Sequence, residues 1–161
     1  MDQELSFRSA ERNDVSKIFF FIRKMAEYEK LTSEVKADEK SLEEWIFDKK
    51  ACEVLFLVLE GKEIGFALFF QNFSTFMGRG GLYLEDIFIL PEYRHRGYGK
   101  KAFHKLASLA KERGYGRMEW TCLDWNENSI AFYRSLGAFP MSEWTNYRLT
   151  REGIEALAKE D

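Results

Sequence analysis

The chain is 161 residues long, with 45% hydrophobic and 16% aromatic residues and a formal net charge of −3. A chain of this length and apolar content is expected to form one domain over residues 1–161 with a single buried core, which argues against an intrinsically disordered protein. The weak negative charge argues against a general nucleic-acid or membrane-surface binder.

Hydrophobic periodicity predicts the elements of the first half of the chain. In order, they are a strand at Leu5–Ser9, a helix from Asn13 or Asp14 to about Lys30, a helix from about Asp38 to Lys49, and strands at Val54–Glu60 and Ile64–Phe73. The first helix carries an apolar stripe at helical spacing, made of Val15, Ile18, Phe19, Ile22, Met25 and Ala26. The second helix would place Leu42, Trp45 and Ile46 on one side. The short turn at 60–63 predicts a hairpin between the two later strands.

The second half continues with alternating strands and helices. In order, they are a loop at Ser74–Gly81, a strand at Leu82–Leu90, a helix from the following glycines to about Arg113, a strand at Met118–Leu123, a helix at Asn126–Leu136, a strand at Thr145–Leu149 and a helix from about Arg151. Pro91 ends the strand before it, and Gly114 and Gly137 end two of the helices. The order predicts an α/β chain with a mixed sheet and helices on both faces.

The stretch from Leu82 to Lys101 is the most informative part of the sequence. An apolar run interrupted by Glu85 and Asp86 leads into a basic turn that contains Gly97 and Gly99. Glycines let the backbone approach a phosphate closely, and the start of the next helix adds unpaired N–H groups and a positive dipole end. Two carboxylates in a central strand are costly unless they are paired or take part in chemistry. The stretch therefore predicts a phosphorylated cofactor beside an acid–base site.

Three phosphate-binding patterns can be compared with this turn. The P-loop pattern G-x-x-x-x-G-K-[ST] is absent from the chain. The dinucleotide pattern G-x-G-x-x-A matches residues 97–102 in spacing, but it normally follows the first strand of a βαβ unit, whereas this turn comes after mid-chain. The third pattern, R-x-x-G-x-G, matches residues 94–99 and is the pyrophosphate loop of the Gcn5-related N-acetyltransferases (GNAT).

Together with several further segments, this loop makes the chain resemble a GNAT enzyme over essentially its whole length. Within that superfamily, the chain resembles the diamine (spermidine/spermine) and thialysine acetyltransferases. The matching segments are Tyr28-Glu29-Lys30-Leu31 with Val35-Lys36, Tyr83-Leu84-Glu85-Asp86, Pro91-Glu92-Tyr93-Arg94, Leu123-Asp124-Trp125-Asn126, and Phe132-Tyr133 with Leu136-Gly137-Ala138. The resemblance implies the GNAT fold, with a mixed, mostly antiparallel sheet. It also implies direct transfer of an acetyl group from acetyl-CoA to a primary amine, without an acyl-enzyme.

The same resemblance implies a cofactor site. Ile87, Phe88 and Ile89 would present backbone groups to the pantetheine arm, because in the family this strand splays from its neighbour near a bulge. The loop and the later short helix would complete the site with Arg94, His95, Arg96, Gly97, Tyr98, Gly99, Lys100, Asn126, Ser129 and Tyr133. Arginines and backbone amides are suited to holding a diphosphate.

Acetyl transfer to an amine requires two proton movements. An alkyl ammonium, with a pKa near ~10.4, is not a nucleophile, so a carboxylate must accept its proton directly or through water. Glu85 is the candidate, although it could also serve only to bind the cationic substrate. Successive strand side chains point to opposite faces, so Asp86 shares a site with Glu85 only if a bulge intervenes, and the sequence favours a structural role for Asp86. By resemblance, Tyr133 is the general acid that protonates the departing thiolate.

The amine site is expected to be lined by Tyr28, Glu29, Glu85, Asp86 and Trp125. Acidic groups there would attract a small cation such as a diamine, a polyamine or a lysine-like amine. Residues 142–147 keep only one acid where the polyamine enzymes carry an acidic pair, which disfavours spermidine and spermine. The resemblance also implies a homodimer. Two alternatives stay open: a peptide or protein N-acetyltransferase of the same fold, and a non-catalytic CoA-binding module.

The remaining reactive residues indicate no further chemistry. Cys52 and Cys122 lie far apart in apolar runs and are expected to be reduced small hydrophobes of a cytoplasmic protein. Neither His95 nor His104 belongs to a metal-binding pattern, so no metal is predicted. The acidic N-terminus predicts no signal peptide, and no apolar run reaches the ~18 residues of a membrane span.

Overall fold

A computed structural model describes residues 4–159, which fall into two compact units, the first ending at Thr121 and the second starting at Cys122. The first unit contains β1 (Ser6–Ser9), α1 (Val15–Glu29), α2 (Glu39–Leu42), β2 (Glu53–Leu59), β3 (Lys62–Ser74), β4 (Arg79–Ile89), α3 (Tyr98–Glu112) and β5 (Met118–Trp120). The second unit contains α4 (Glu127–Ser135) and α5 (Arg151–Ala158). Within residues 4–159, no helix has both the length and the apolar character needed to cross a membrane.

The strands of the first unit form one sheet in the spatial order β1-β2-β3-β4-β5. Neighbouring strands are antiparallel except for β4 and β5, which are parallel, so the predicted mixed and mostly antiparallel sheet is confirmed. The turn between β2 and β3 has φ of 50° at Glu60 and 77° at Gly61. Two left-handed residues match the twist of a tight hairpin, as the sequence predicts.

Helices cover both faces of this sheet. On one face, the buried core consists of Ile18, Phe21, Ile46, Val54, Phe56, Phe66, Phe88 and Leu90. On the other face, it consists of Leu5, Leu57, Leu59, Ile64, Tyr98 and Ala102. Consecutive residues of β2 alternate between the two clusters, so α1 packs on one face and α3 on the other.

The predicted second helix is shorter and less regular than expected. Only Glu39–Leu42 is α-helical, and the chain continues as a π-helix at Glu43–Asp48. Because a π-helix bonds each residue to the fifth one along, residues three and four apart no longer share one side. Ile46 is buried, whereas Trp45 is 53% exposed with the Lys49 ammonium over its ring. The predicted inward position of Trp45 is therefore wrong.

The predicted strand at Thr145–Leu149 is also wrong, because residues 138–150 of the second unit contain no helix or strand. The segment alternates in the manner of a strand, but a strand is stabilised by a paired neighbour and a packed face. Tyr147 is 90% exposed and Leu149 is 56% exposed, so the apolar side chains of this segment gain little from burial.

The predicted loop at Ser74–Gly81 is shorter than expected, because β3 reaches Ser74 and β4 already begins at Arg79. Gly80 and Gly81 lie within β4. A Cβ at Gly81 would come within 2.6 Å of the Asn72 side-chain oxygen and 3.1 Å of the Arg117 carbonyl oxygen, so this glycine leaves room for neighbouring groups within the sheet rather than making a turn.

Gly65 on β3 gives a test of how closely β3 and β4 approach. A Cβ at Gly65 would overlap with the carbonyl oxygen of Phe88. We expect Gly65→Ala to force the two strands apart and to lower the free energy of unfolding by about 1–3 kcal/mol, measured by urea denaturation. Gly153→Ala is the control, because in helix α5 the new methyl group meets only side chains and alanine favours the helix. Equal urea midpoints for wild type and Gly65→Ala would contradict the close approach.

Candidate functional site

Strand β4 carries a β-bulge at Glu85. Leu84 pairs with Phe69 and Asp86 pairs with Leu68, so Glu85 is one residue more than β3 can match. A bulge breaks the regular alternation of side chains and re-aims them locally. The negative charge of Glu85 is one of the causes that raise the pKa of Asp86, so the two carboxyl groups interact. The bulge on which a shared site for Glu85 and Asp86 depends is therefore present.

The bulge coincides with the point where β4 loses its neighbour on the other side. β5 pairs with β4 only at Leu82–Leu84, and within residues 4–159 no strand covers that side at residues 85–89, which we call the open edge. The N–H of Leu90 donates to the carbonyl oxygen of Ile64 on the β3 side, at 2.9 Å. Because alternate residues direct their backbone groups to opposite sides, those of Ile87 and Ile89 face the open edge.

Without the bulge, different residues would face this edge. The N–H of Leu82 is directed to the β5 side, where it donates to the carbonyl oxygen of Arg117 at 3.0 Å. Continued alternation would place residues 86 and 88 on that side, and the extra residue changes this to 87 and 89. Phe88, the other strand residue predicted to contact a cofactor, pairs with Phe66 of β3 and is only 5% exposed.

A group of carboxyl side chains lies at the bulge. Burial, followed by the charges of Glu85 and Glu29, raises the pKa of Asp86 to about 7. Burial also raises the pKa of Glu29, the last residue of α1. A carboxyl group with a pKa near neutrality can accept and release a proton at physiological pH, as an acid–base catalyst must. The sequence favours a structural role for Asp86, and it does not reveal the raised pKa, because the burial that causes it depends on the fold and leaves no local pattern.

Tyr28 and Arg94 lie at the far end of the open edge. The ring centroids of Tyr28 and Phe88 are 6.5 Å apart. The Arg94 guanidinium lies over both rings, and its Nε donates to the carbonyl oxygen of Ile89 at 2.9 Å. The structure therefore brings Tyr28, predicted for the amine site, to the strand predicted for the cofactor. Arg94, predicted as a phosphate ligand, has partners within the protein that the sequence did not indicate.

The glycine loop leads into helix α3 as the sequence predicts. Gly97 has φ of 83°, in the left-handed region, and a Cβ at Gly97 would have no neighbour within 4 Å. No side chain caps the start of α3, so the N–H groups of its first turn remain available to an anion. The Tyr98 side chain is buried, and this residue can offer only its backbone. The other predicted ligands around this turn are at the surface or half-buried: His95, Arg96, Gly99 and Lys100.

The second unit contains the remaining predicted site residues. Asn126 caps α4, because its side-chain oxygen accepts a hydrogen bond from the N–H of Ser129 at 3.3 Å. The rings of Phe132 and Tyr133 lie 5.7 Å apart on this helix. Trp125, just before the cap, is 54% exposed. The helix predicted from Asn126 is therefore present, with Asn126 as its cap, and the roles of Ser129, Tyr133 and Trp125 stay predictions.

The cysteines and metal-binding residue types add no second site. Both thiols are reduced, and burial together with the charges of Asp86, Glu53 and Glu85 raises the pKa of the Cys52 thiol, which makes it a poor nucleophile at neutral pH. In the part of the chain that the structure describes, no three His, Cys, Asp or Glu side chains are grouped so that they could hold a metal ion.

Comparison with known families and proteins gives consistent matches. The model of the acetyltransferase (GNAT) family matches residues 18–138. The thialysine N-epsilon-acetyltransferase of Sus scrofa is 35% identical over 163 residues, covering 94% of this chain and 95% of that protein. The L-ornithine N5-acetyltransferase of Arabidopsis thaliana is 43% identical over 95 residues, covering 59% of this chain and 42% of that protein.

Among solved structures, an integron cassette protein from the mobile metagenome of V. cholerae superposes with a TM-score of 0.81. The match covers 99% of this chain and 100% of that chain, at 24% sequence identity. At this identity the likeness concerns the fold alone.

The pKa of Asp86 leads to a prediction about stability. The pKa of Asp86 is about 7 in the folded state and 3.8 ordinarily, so the folded state binds this proton more tightly than the unfolded state does. The resulting contribution to folding stability is fully present below about pH 4 and is lost as the pH rises through 7. We therefore expect Asp86→Asn to raise the melting temperature at pH 8 and to change it little at pH 4, measured by calorimetry. The exposed neighbour gives the control Glu85→Gln, which should have a smaller effect at pH 8. A lower melting temperature for Asp86→Asn at pH 8 would show that the buried charge is compensated.

Proposed function

The chain belongs to the GNAT family of acetyltransferases, and from that premise we propose that it transfers the acetyl group of acetyl-CoA directly to a primary amine of a small cationic substrate. The observation that carries this proposal is the bulge at Glu85. It leaves the backbone of β4 uncovered and, at the same point, groups the carboxyl side chains that an amine substrate requires. The family match runs across both units, which supports treating the chain as one catalytic domain.

The residues around α3 and the open edge are suited to acetyl-CoA. The uncapped first turn of α3 and the exposed Arg96 and Lys100 can hold a diphosphate by N–H donors and positive charge. The backbone groups of Ile87 and the N–H of Ile89 can pair with the amide groups of a pantetheine arm, as a strand would, since the Ile89 carbonyl oxygen already accepts from Arg94. When bound, acetyl-CoA supplies the thioester carbonyl carbon that the amine attacks. Asn126 and Ser129 are proposed to contact the same cofactor, as the sequence resemblance implies.

The carboxyl groups at the bulge are proposed to select the amine. Glu29, Glu85 and Asp86 form a negative site that favours a cationic substrate over a neutral one. Tyr28 and Trp125 are proposed to line the same site. The similarity to a thialysine N-epsilon-acetyltransferase and an L-ornithine N5-acetyltransferase supports an amino acid with a terminal amine on its side chain as the substrate class. Diamines and polyamines remain the second class to test.

Two residues are proposed to move protons. A carboxyl group at the bulge accepts the proton of the substrate ammonium, with Glu85 as the sequence-based candidate and Asp86 as the candidate favoured by its pKa near 7. The hydroxyl of Tyr133 returns a proton to the departing thiolate. Because the thiols are reduced and Cys52 is disfavoured as a nucleophile, transfer without an acyl-enzyme is the simpler route. The homodimer and the cytoplasmic location stay predictions.

Thiol release from acetyl-CoA across a panel of amines tests the proposed function. The panel contains lysine, ornithine and thialysine, diamines, spermidine and short peptides. We expect turnover with the amino acids that carry a terminal side-chain amine, and little with peptides. Turnover with peptides alone would favour a peptide or protein N-acetyltransferase. CoA binding in calorimetry without turnover of any amine would favour a non-catalytic CoA-binding module.

In the same assay, we expect Tyr133→Phe to lower kcat at least ~10²-fold, because the phenolic proton is lost, while CoA affinity stays nearly unchanged. Tyr147→Phe is the matched control, since Tyr147 is 90% exposed and has no proposed role. Unchanged turnover in Tyr133→Phe would remove this residue from the mechanism.

The pH dependence of kcat/KM identifies the proton acceptor. With Asp86 as the base, activity should fall below pH ~7 as Asp86 becomes protonated, and Asp86→Asn should remove this limb along with most of kcat. Glu85→Gln should keep the limb and mainly raise KM for the amine, because it removes a charge that attracts the substrate. The reverse pattern would assign the role of proton acceptor to Glu85, as the sequence predicts.

A further inference from the structure

Arg94 connects three parts of the site in the first unit. Its guanidinium carbon is 4.3 Å from the ring centroid of Tyr28 and 5.0 Å from that of Phe88. Its Nε donates to the carbonyl oxygen of Ile89 at 2.9 Å. Tyr28 is near the end of α1, Phe88 and Ile89 belong to β4, and Arg94 lies just after Pro91–Tyr93 at the start of the loop. One side chain therefore contacts a helix end, a strand and the loop.

Each of these contacts depends on the shape of the guanidinium group. The hydrogen bond fixes one edge of the planar group against the open edge of β4, while the guanidinium carbon lies over the rings of Tyr28 and Phe88. A lysine would keep the positive charge, but it has no Nε donor at this position on the chain and no flat face to stack. The role of Arg94 can thus be separated experimentally from the role of its charge.

The contact with Tyr28 also differs from what phosphate binding requires. A phosphate ligand needs an accessible positive charge, and Arg96 in the same loop is exposed, its guanidinium carbon 5.7 Å from the ring centroid of Tyr93. Arg94 is half-buried, and it contacts a residue proposed for the amine site rather than the start of α3.

We infer that Arg94 is a positioning residue for the amine site: by its planar guanidinium group it holds Tyr28 against the open edge of β4. The inference rests on the proposed function, since it takes Tyr28 to line the amine site. Its effect on the reaction is then exerted through Tyr28. The hydrogen bond from the Arg94 Nε occupies the carbonyl oxygen of Ile89. The backbone acceptors that remain for a cofactor at the open edge therefore lie nearer to the bulge.

The test is Arg94→Lys, which keeps the charge and removes the planar group. We expect KM for the amine to rise about tenfold, because the cation over the Tyr28 ring and its hydrogen bond are lost. The Kd of CoA should change less than about twofold. Arg96→Gln should show the opposite pattern, with weaker CoA binding and little change in KM for the amine. Arg23→Lys is the matched control, because Arg23 stacks on Phe19 at 4.7 Å elsewhere on α1.

A double-mutant cycle with Tyr28 separates positioning from general destabilisation. If Arg94 acts through Tyr28, Arg94→Lys should have almost no further effect on KM in a Tyr28→Leu background, and its full effect in Tyr28→Phe, which keeps the ring. Additive effects of Arg94→Lys and Tyr28→Leu would overturn the inference. So would an Arg94→Lys variant that loses CoA affinity as strongly as Arg96→Gln with an unchanged KM for the amine.

A readout without turnover keeps this inference distinct from the proposed function. In the NMR spectrum of the full chain, the Nε–H of Arg94 should exchange slowly because it donates to the Ile89 carbonyl oxygen, and Tyr28→Leu should change its chemical shift because the ring current of Tyr28 is lost. If wild type acetylates no amine, the proposed function fails. The resonance and the CoA titrations then still show whether Arg94 contacts Tyr28 or binds CoA. A fast-exchanging Nε–H in wild type, with a chemical shift that Tyr28→Leu leaves unchanged, would overturn the contact itself.

Discussion

The extra residue at Glu85 is the constraint on which the site depends. It shifts the register between β3 and β4 by one residue at the same position where β5 stops pairing on the other side. The backbone of Ile87 and Ile89 therefore faces no strand, while β3 still pairs β4 and keeps it in the sheet. A regular strand would have placed other residues on that side and separated the two carboxyl side chains. One inserted residue thus creates both a place for an extended ligand and a group of interacting acids.

Much of the fold could be predicted because its signals are local. The hairpin turn between β2 and β3 and the helix that starts at Asn126 follow from residue types at fixed offsets, and the sequence predicts both. The buried ring of Phe21, which stacks on Phe66 at 5.7 Å, was missed because a helical stripe read from the sequence can be drawn through Phe19 equally well. Trp45 was misplaced because a π-helix is not distinguished by its side-chain pattern.

The site was predictable as a set of residues but not as an arrangement. The glycine loop, Glu85 and Tyr28 follow from motifs, and the family match extends over residues 18–138. The pKa of Asp86 and the contact of Arg94 with Tyr28 depend on burial and on segments more than 50 residues apart in the sequence, as Glu29 and Asp86 are. No motif encodes such long-range contacts. Residues 145–149 show the opposite failure, since a local pattern without a pairing neighbour produced no strand.

The uncapped start of α3 has a consequence for the lifetime of the protein. The N–H groups at the first turn of α3 make no hydrogen bond to a capping side chain, so the folded state is less stable than a capped helix would make it. An anion bound at that turn supplies it, and by mass action a ligand at a hundred times its Kd adds about 2.7 kcal/mol to folding. Resistance to unfolding and to proteolysis would then rise and fall with the concentration of the ligand.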